Sequence, residues 1–357
     1  MKNRDYLFDN AKGLMIFAVV LGHILEADLT GIARGMYVVI YSVHMPLFVL
    51  ISGYFARFDA HKILKKIIAP YLCIQLCCAI GSRVVGGEGT GGQLTTPYWY
   101  LWYLPALAVW KISIPFIDTE DVRKQRLILL GSVAAALLAG YDDTVGYYMS
   151  LSRIIVFYPY FLLGYYAGKA KKRGSRAYRI FEKMDRWKCA AVLALCVAVI
   201  FVISPVIDYR WLYGAYSYSE LGYMPMHRIV VYILGVVQCL CILKLMSSKK
   251  CCLSEVGKRS MYIYLGHAPG VFLVRKIWEK SERLIDYFIN MKPENELIGT
   301  VLRLDYVKQM VWIAVAFAGA LFIVGCICID FTKIFNQFRI FHKGADERQV
   351  LMESTQK

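Results

Sequence analysis

The sequence is poor in charge. Only 19% of its 357 residues are Asp, Glu, Lys or Arg, whereas 58% are hydrophobic. A soluble domain of this length carries more charge and fewer long apolar runs, so the composition excludes an ordinary soluble protein. The first apolar run also lacks a small-residue cleavage pattern and is too long for a signal-peptide core. We therefore expect a chain that stays in the membrane.

The cysteines lack the spacing of a disulfide framework or a zinc site. Most of the 11 cysteines lie within apolar runs, where cysteine behaves as a small hydrophobic residue. We therefore expect no metal ion. The Gly-rich stretch 86–92 lacks the Lys-Ser/Thr ending and the strand–helix context of a nucleotide-binding loop, and it predicts a flexible connector.

Apolar runs recur along the whole chain. Because a spanning helix needs roughly 20 mostly apolar residues, they predict an all-α membrane protein with a bundle of about ten transmembrane helices. This transmembrane domain occupies residues 1–335, and a basic and polar cytosolic tail follows at 336–357. The predicted spans lie near residues 11–29, 37–55, 67–85, 99–117, 127–141, 154–168, 189–207, 229–246, 260–276 and 310–329.

The formal net charge is +16, and its distribution predicts the topology. Lys and Arg concentrate in alternate connections, most densely at 169–188, whereas the long segment 277–309 mixes both signs. By the positive-inside rule, this pattern places both termini in the cytosol. The basic excess therefore indicates contact with anionic membrane lipids and not with nucleic acid. We expect a multi-pass protein of the cell membrane, most simply a bacterial plasma membrane.

The first predicted span carries two costly residues, Lys12 and His23. They are eleven positions apart, which places them about 20° apart around a helix and roughly 16 Å apart along its axis. A charge at bilayer depth costs at least a few kcal/mol and usually marks a site or a paired interior contact. Glu26, one turn beyond His23, is a candidate to hold its imidazole. The structural alternative is a snorkelling Lys12 and a satisfied interior histidine.

Further candidates lie on later spans. His44 is expected at a depth similar to that of His23, and His267 near the middle of the membrane. Arg153 opens the sixth span, and Trp99 and Trp102 lie in an aromatic segment that is typical of an interface belt or of a sugar site. Helix packing and snorkelling are the structural alternatives for these residues.

Four blocks of sequence resemble the membrane acyltransferase 3 family. The first is Asp-Asn-Ala-Lys-Gly at 9–13 with Val-Val-Leu-Gly-His at 19–23, a basic residue followed by ten others and a histidine. The second is Val-His-Met-Pro-Leu-Phe at 43–48 with Ile-Ser-Gly-Tyr-Phe at 51–55. The third, at 62–71, has lysines where the family often has two arginines, and the fourth is 260–267. The stretch 153–164 most resembles the fucose 4-O-acetylase-like branch.

The resemblance implies transfer of an acetyl or other short acyl group from cytosolic acyl-CoA to a hydroxyl of an extracytoplasmic sugar or glycan. Acetyl-CoA is the expected donor. His23 is then the candidate base or covalent acyl carrier, since its ordinary pKa suits either task. Glu26 or His44 would fix its tautomer. The residues expected to receive CoA phosphates are Lys12, Lys62, Lys65 and Lys66. Those expected to bind the acceptor are Arg153, Trp99, Trp102 and His267.

Two other functions compete with this interpretation. Buried histidines also serve proton relays, and prolines that interrupt helices suit a proton-coupled transporter or flippase of a small polar or glycan substrate. Against it, the sequence has no evident internal repeat. The other alternative is an inactive scaffold that binds a glycan.

Overall fold

The computed structural model describes residues 5–84, 96–146, 148–290 and 297–329. Within these ranges the chain is helical and contains no β-strand, which confirms the all-α class. A π-helical turn at Leu64–Ile68 joins the short helix that ends at Ile63 to the helix that begins at Ala69. The α-helices are α1 (Leu7–Leu25), α2 (Gly31–Tyr54), α3 (Ala60–Ile63), α4 (Ala69–Val84), α5 (Tyr103–Ile112), α6 (Ile114–Ile117), α7 (Val122–Leu138), α8 (Leu151–Lys172), α9 (Arg176–Lys183), α10 (Arg186–Ile203), α11 (Tyr218–Leu221), α12 (Pro225–Leu245), α13 (Cys252–Lys258), α14 (Ser260–Gly266), α15 (Ala268–Asn290) and α16 (Leu297–Cys328).

Several helices are suited to a membrane. In the described part of the chain, six are long and apolar enough to cross one. They correspond to the predicted spans one, two, three, seven, eight and ten. The six stretches are Leu7–Leu25, Gly31–Tyr54, Ala60–Ile80, Arg186–Ile203, Pro225–Leu245 and Asp305–Cys328. A count of ten spans and the placement of the termini stay predictions.

The other four predicted spans have different boundaries in the structure. The fourth becomes the short helices α5 and α6, because the aromatic segment before Tyr103 forms turns. The fifth corresponds to α7, which has 17 residues, and the sixth to α8, whose last turn carries three lysines. The ninth is divided at His267 between α14 and α15. The Gly-rich stretch 86–92 and the tail 336–357 lie outside the described residues.

Helix α1 lies at the centre of the bundle. About 67% of the apolar stretch of α1 is buried inside the protein, against 17% of that of α10. Helix α1 is therefore surrounded by protein, whereas α10 faces outward. Its residues Ile16, Val20 and Ile24 pack in one apolar cluster with Tyr37 of α2 and Trp312 of α16. Polar side chains on a helix that is so deeply buried need hydrogen-bond or ion-pair partners, which neighbouring helices must supply.

Close crossings hold the neighbouring helices together. Where α2 crosses α8, a Cβ at Gly53 would overlap the carbonyl of Phe161, and one at Gly164 would overlap the carbonyl of Leu50. Small residues let backbones approach closely, and such contacts drive helix association where lipid removes the hydrophobic effect. This crossing fixes α8, and with it Arg153, beside α2.

Candidate functional site

A cavity of about 960 Å³ lies beside α1. Its wall follows α1 through four turns, from Lys12 to Glu26, and continues onto α2, α8 and the aromatic segment before α5. The structure thus brings together seven of the eleven residues singled out in the sequence. These are Lys12, His23, Glu26, His44, Trp99, Trp102 and Arg153. The other four, Lys62, Lys65, Lys66 and His267, are not part of the wall.

His23 lies in the last turn of α1 and is only 9% exposed. Its Nδ1 lies 3.1 Å from the hydroxyl of Tyr41 on α2, and the two atoms share a hydrogen bond. The Glu26 carboxylate lies 3.8 Å from the same nitrogen, beyond hydrogen-bonding distance. Among the described residues none bonds to Nε2. Tyr41 therefore holds one nitrogen of the ring, and the other is left for a substrate.

Glu26 is bound by Arg275 of α15. An Arg275 nitrogen, Nη2, donates to the Glu26 carboxylate at 2.5 Å, and Nε donates to the backbone carbonyl of His23 at 2.7 Å. The last carbonyls of a helix have no partner within the helix, and a cation near them is favourable. Arg275 therefore binds the C-terminal end of α1 and fixes the backbone that carries His23. Glu26 thus forms an ion pair with Arg275 and also lies within 3.8 Å of the imidazole.

The other two histidines have defined tautomers. In His44, Nδ1 lies 2.8 Å from the carbonyl of Ile40, so it carries the proton and Nε2 keeps its lone pair. His267 is similar, since its Nδ1 lies 2.8 Å from the carbonyl of Tyr264. The His267 ring is fully buried and stacks on His23 with 5.4 Å between ring centroids. Within the described structure its Nε2 has no partner. Thus His44 lines the cavity, whereas His267 lies outside its wall and packs against the ring of His23.

The end of the cavity nearest the N-terminus of α1 contains Lys12, which pairs with Asp9 one turn earlier at 3.0 Å. The three other candidate lysines lie away from it. Lys62 is 68% exposed and pairs with Asp59 at the start of α3, while Lys65 and Lys66 project from the exposed side of the π-helical turn. The predicted basic cluster is therefore present at the surface, but only Lys12 belongs to the cavity.

The aromatic residues surround the part of the cavity near His23. The Trp99 ring lies 4.3 Å from the His23 ring, between centroids, and Arg275 lies over it at 5.0 Å. The guanidinium of Arg153 lies 5.2 Å from the Trp102 ring and donates from Nε to the carbonyl of Tyr213. Aromatic faces and guanidinium groups are both suited to contacts with sugars and other polyhydroxyl compounds.

Trp99 has an unusual backbone. Its φ is +30°, in the left-handed region that bulky residues rarely adopt. Such a conformation costs on the order of 1–3 kcal/mol and persists only where its surroundings enforce it, often at functional sites. The strained residue is in contact with the imidazole, which supports a role for this segment in the site.

Two residues of the site were not identified from the sequence. Tyr41 stands three residues before His44 and shares its helix face, but an isolated tyrosine gives no chemical signal. Arg275 stands within the apolar start of α15, and a cation in such a run is itself a usable signal. Its partners, however, are about 250 residues away in the sequence. Only the tertiary structure connects them.

Comparisons with known proteins identify the family of the chain. A family model described as an acyltransferase domain, that of acyltransferase 3, matches residues 5–331. The chain is also 25% identical over 232 residues to the nodulation protein NolL of Sinorhizobium fredii. That match covers 54% of this chain and 57% of NolL, so it spans little more than half of the relative's length. No solved structure matches the chain. Because the family model covers nearly all of the chain, the protein belongs to the acyltransferase 3 family.

Proposed function

We propose that the protein transfers an acetyl or other short acyl group from cytosolic acyl-CoA to a hydroxyl of an extracytoplasmic sugar or cell-surface glycan. The N- and C-termini then lie in the cytosol of a bacterial cell, and the outer end of α1 lies near the opposite face. Acetyl-CoA is the expected donor. The resemblance to the fucose 4-O-acetylase-like branch favours a sugar hydroxyl as the acceptor.

The observation that carries the proposal is that one continuous cavity follows α1. It contains Lys12 at one end and His23 near the other. The two residues are eleven positions apart on the helix, which separates them by roughly 16 Å at about 1.5 Å per residue. This length is comparable to the reach of a pantetheine arm. A thioester can then reach the imidazole while the nucleotide stays on the cytosolic side.

The donor end is assigned first to Lys12. Its side chain lines the cavity, and its ammonium is suited to a charge-assisted contact with a phosphate of CoA. Lys62, Lys65 and Lys66 lie outside the cavity, where they remain candidates for the nucleotide end of the donor. The acceptor end is assigned to Arg153, Trp99 and Trp102.

The reaction needs a base for the acceptor hydroxyl. In the direct route, Nε2 of His23 takes the hydroxyl proton while the oxygen attacks the thioester carbon. The C–S bond then breaks, and the thiolate of CoA receives the proton from the imidazolium. In the covalent route, Nε2 attacks the thioester carbon, the C–S bond breaks and CoA leaves as the thiolate. The acceptor hydroxyl then attacks the acyl group, the C–N bond breaks, and the hydroxyl proton passes to the thiolate. Either route uses Nε2, which is the nitrogen that Tyr41 leaves available.

The test begins with purified protein in lipid nanodiscs, acetyl-CoA labelled in the acetyl group and a sugar acceptor. We expect release of free CoA thiol together with label on the acceptor. The acceptor is identified by mass spectrometry of surface glycans from a deletion strain, which should lose one acetyl mass on a defined sugar. Unchanged glycans would contradict the acceptor assignment. Proton-coupled uptake of a sugar with no release of CoA would favour the transporter alternative.

A further inference from the structure

Over residues 69–80, the part of helix α4 whose burial the structure describes, Gln75 is the one buried polar residue. Its neighbours Leu72, Leu76 and Ile80 are each more than half exposed, as expected for a helix that faces lipid. Gln75 is only 1% exposed. A buried amide is costly unless its donor and acceptor are both bonded. Its partners therefore indicate why a glutamine stands there.

Gln75 bonds to the backbone of the segment that carries Trp99. Its Nε2 donates to the carbonyl of Thr96 at 2.8 Å, and its Oε1 accepts from the N–H of Tyr98 at 2.8 Å. The amide thus pairs with this segment much as a neighbouring peptide group would. It holds the chain immediately before the residue whose φ is +30°.

The other side of Trp99 is also anchored. The hydroxyl of Tyr264 donates to the carbonyl of Tyr100 at 2.6 Å, and the hydroxyl of Tyr100 donates to the carbonyl of Leu265 at 3.1 Å. Trp99 therefore stands between two anchored residues. A backbone fixed on both sides can hold a conformation that the residue would otherwise leave.

We propose that Gln75 is a positioning residue that holds the Trp99 indole against His23 and thereby controls access to the imidazole. The proposal goes beyond the assignment of Trp99 to acceptor binding, and it rests on the proposed function only for the importance of His23. In the absence of the Gln75 amide, Trp99 relaxes from the left-handed conformation. The indole then moves away from the imidazole, and the His23 ring becomes more accessible to small reagents.

The experiment measures the reactivity of His23 in the purified full-length protein, without any substrate. Diethyl pyrocarbonate modifies accessible neutral imidazoles, and peptide mass spectrometry gives the rate at each histidine. His61 is exposed and serves as the internal reference. The variants are Gln75→Met, Trp99→Ala and the double variant. Gln238→Met is the matched control, because Gln238 is also 1% exposed but bonds to Ser42 of α2.

We expect Gln75→Met to raise the rate at His23 roughly tenfold, as the loss of two hydrogen bonds allows, with no change at His61. Trp99→Ala should raise it at least as much, and Gln75→Met should add nothing in that background. Gln238→Met should leave the rate unchanged. If Gln75→Met does not fold, Gln75→Asn, which keeps the amide but shortens its reach, should give the same increase.

Two results would overturn the proposal. One is an unchanged rate at His23 in a folded Gln75 variant. The other is a full additional increase from Gln75→Met in the Trp99→Ala background, since Gln75 would then act independently of the indole. Neither result depends on the acceptor or on acyl transfer. A protein that lacked transferase activity could therefore still confirm the positioning role, and the two proposals fail separately.

Discussion

Helix α1 is held at both ends, by different kinds of contact. The N-terminal end is the inner end in the proposed topology, and there the backbones of α1 and α13 touch. A Cβ at Gly13 would overlap the carbonyl of Leu253, and one at Gly257 would overlap the carbonyl of Asp9. The Asn10 amide donates to two carbonyls of the segment before α13, at 2.7 Å and 3.0 Å. The C-terminal end is the outer end in the same topology, and there side chains from α2 and α15 hold His23 and leave its Nε2 available.

The difference separates two roles within one motif. The block Asp-Asn-Ala-Lys-Gly at 9–13 serves packing, because its asparagine and glycine contact α13 and the segment before it. The block Val-Val-Leu-Gly-His at 19–23 places an imidazole in the wall of the cavity. We therefore expect substitutions at the inner end to reduce stability and substitutions at the outer end to reduce activity. Lys12 is the exception at the inner end, since it also faces the cavity.

The largest effect is expected from His23→Ala. Removal of a base or acyl carrier should lower kcat for acetyl transfer by about 10²–10⁴-fold, with a nearly unchanged melting temperature. The measurement is label transfer from acetyl-CoA by protein that elutes at the wild-type volume in size-exclusion chromatography. Full activity of this variant would remove the chemical role from the outer end.

Gly257→Ala tests the inner end. The new methyl group has no space against the Asp9 carbonyl, and overpacking of this kind costs about 1–3 kcal/mol or more. We expect a clear loss of thermal stability in detergent, with the activity of the surviving folded protein retained. Gly131→Ala on α7 is the control, because a Cβ added there would have no neighbouring side chain or other helix of the described structure within 4 Å. Equal melting temperatures for both variants would contradict the packing role.

The spacing of Lys12 and His23 was sufficient to predict that they share a stripe, and both line the cavity. Helix periodicity is a local property, so it can be read from one segment. The all-α class was predictable for the same reason, since long apolar runs are local. The ends of the later spans were less predictable. The aromatic segment at 96–102, for example, forms turns that are held by Gln75 and α14.

The hydrogen-bond partner of His23 could not be predicted from the sequence. Glu26 and His44 were the two candidates. Glu26 does lie 3.8 Å from Nδ1, but Arg275 binds its carboxylate, and the hydrogen bond to the imidazole comes from Tyr41. Contacts between distant segments depend on which helices become neighbours, and periodicity does not encode this. Lys62 shows the same limitation, since its charge suited a phosphate but its position on the surface depends on the path of α3.

Lys12→Ala should have the next largest effect. Loss of one charge-assisted contact to a phosphate should raise KM for acetyl-CoA roughly tenfold, with a smaller change in kcat. Lys250→Ala is the matched control, because its side chain is 60% exposed and paired with Glu255. An unchanged KM in Lys12→Ala would place Lys12 with the packing half of the motif.

Tyr41→Phe should have a smaller effect at the outer end. It removes one neutral hydrogen bond to His23 and keeps the ring, so we expect kcat to fall about threefold. Glu26→Gln should reduce kcat less than this if Tyr41 orients the imidazole, since an amide oxygen can still accept from Arg275. The two variants are compared by initial rates of CoA release. A larger loss in Glu26→Gln would return the orienting role to the carboxylate.

The smallest effect is expected at the surface of α13, which packs on the inner end. Glu255 pairs with Lys258 at 2.8 Å and with Lys250 at 3.3 Å, and hydrogen bonds from Lys258 and then Lys250 hold the pKa of its carboxyl below the ordinary value of 4.5. A lowered folded-state pKa stabilises the protein above that ordinary value, and the contribution is lost as the pH falls through the folded-state pKa.

Glu255→Gln should therefore lower the melting temperature slightly at neutral pH and weaken the fall in melting temperature on acidification below about pH 4.5. The effect is small because exposed ion pairs are screened by solvent and salt. Melting curves at several pH values measure it, and acetyl transfer at neutral pH should be unchanged. A loss of activity with unchanged melting would mean that the inner end also acts on the chemistry, and the division of α1 into two roles would fail there.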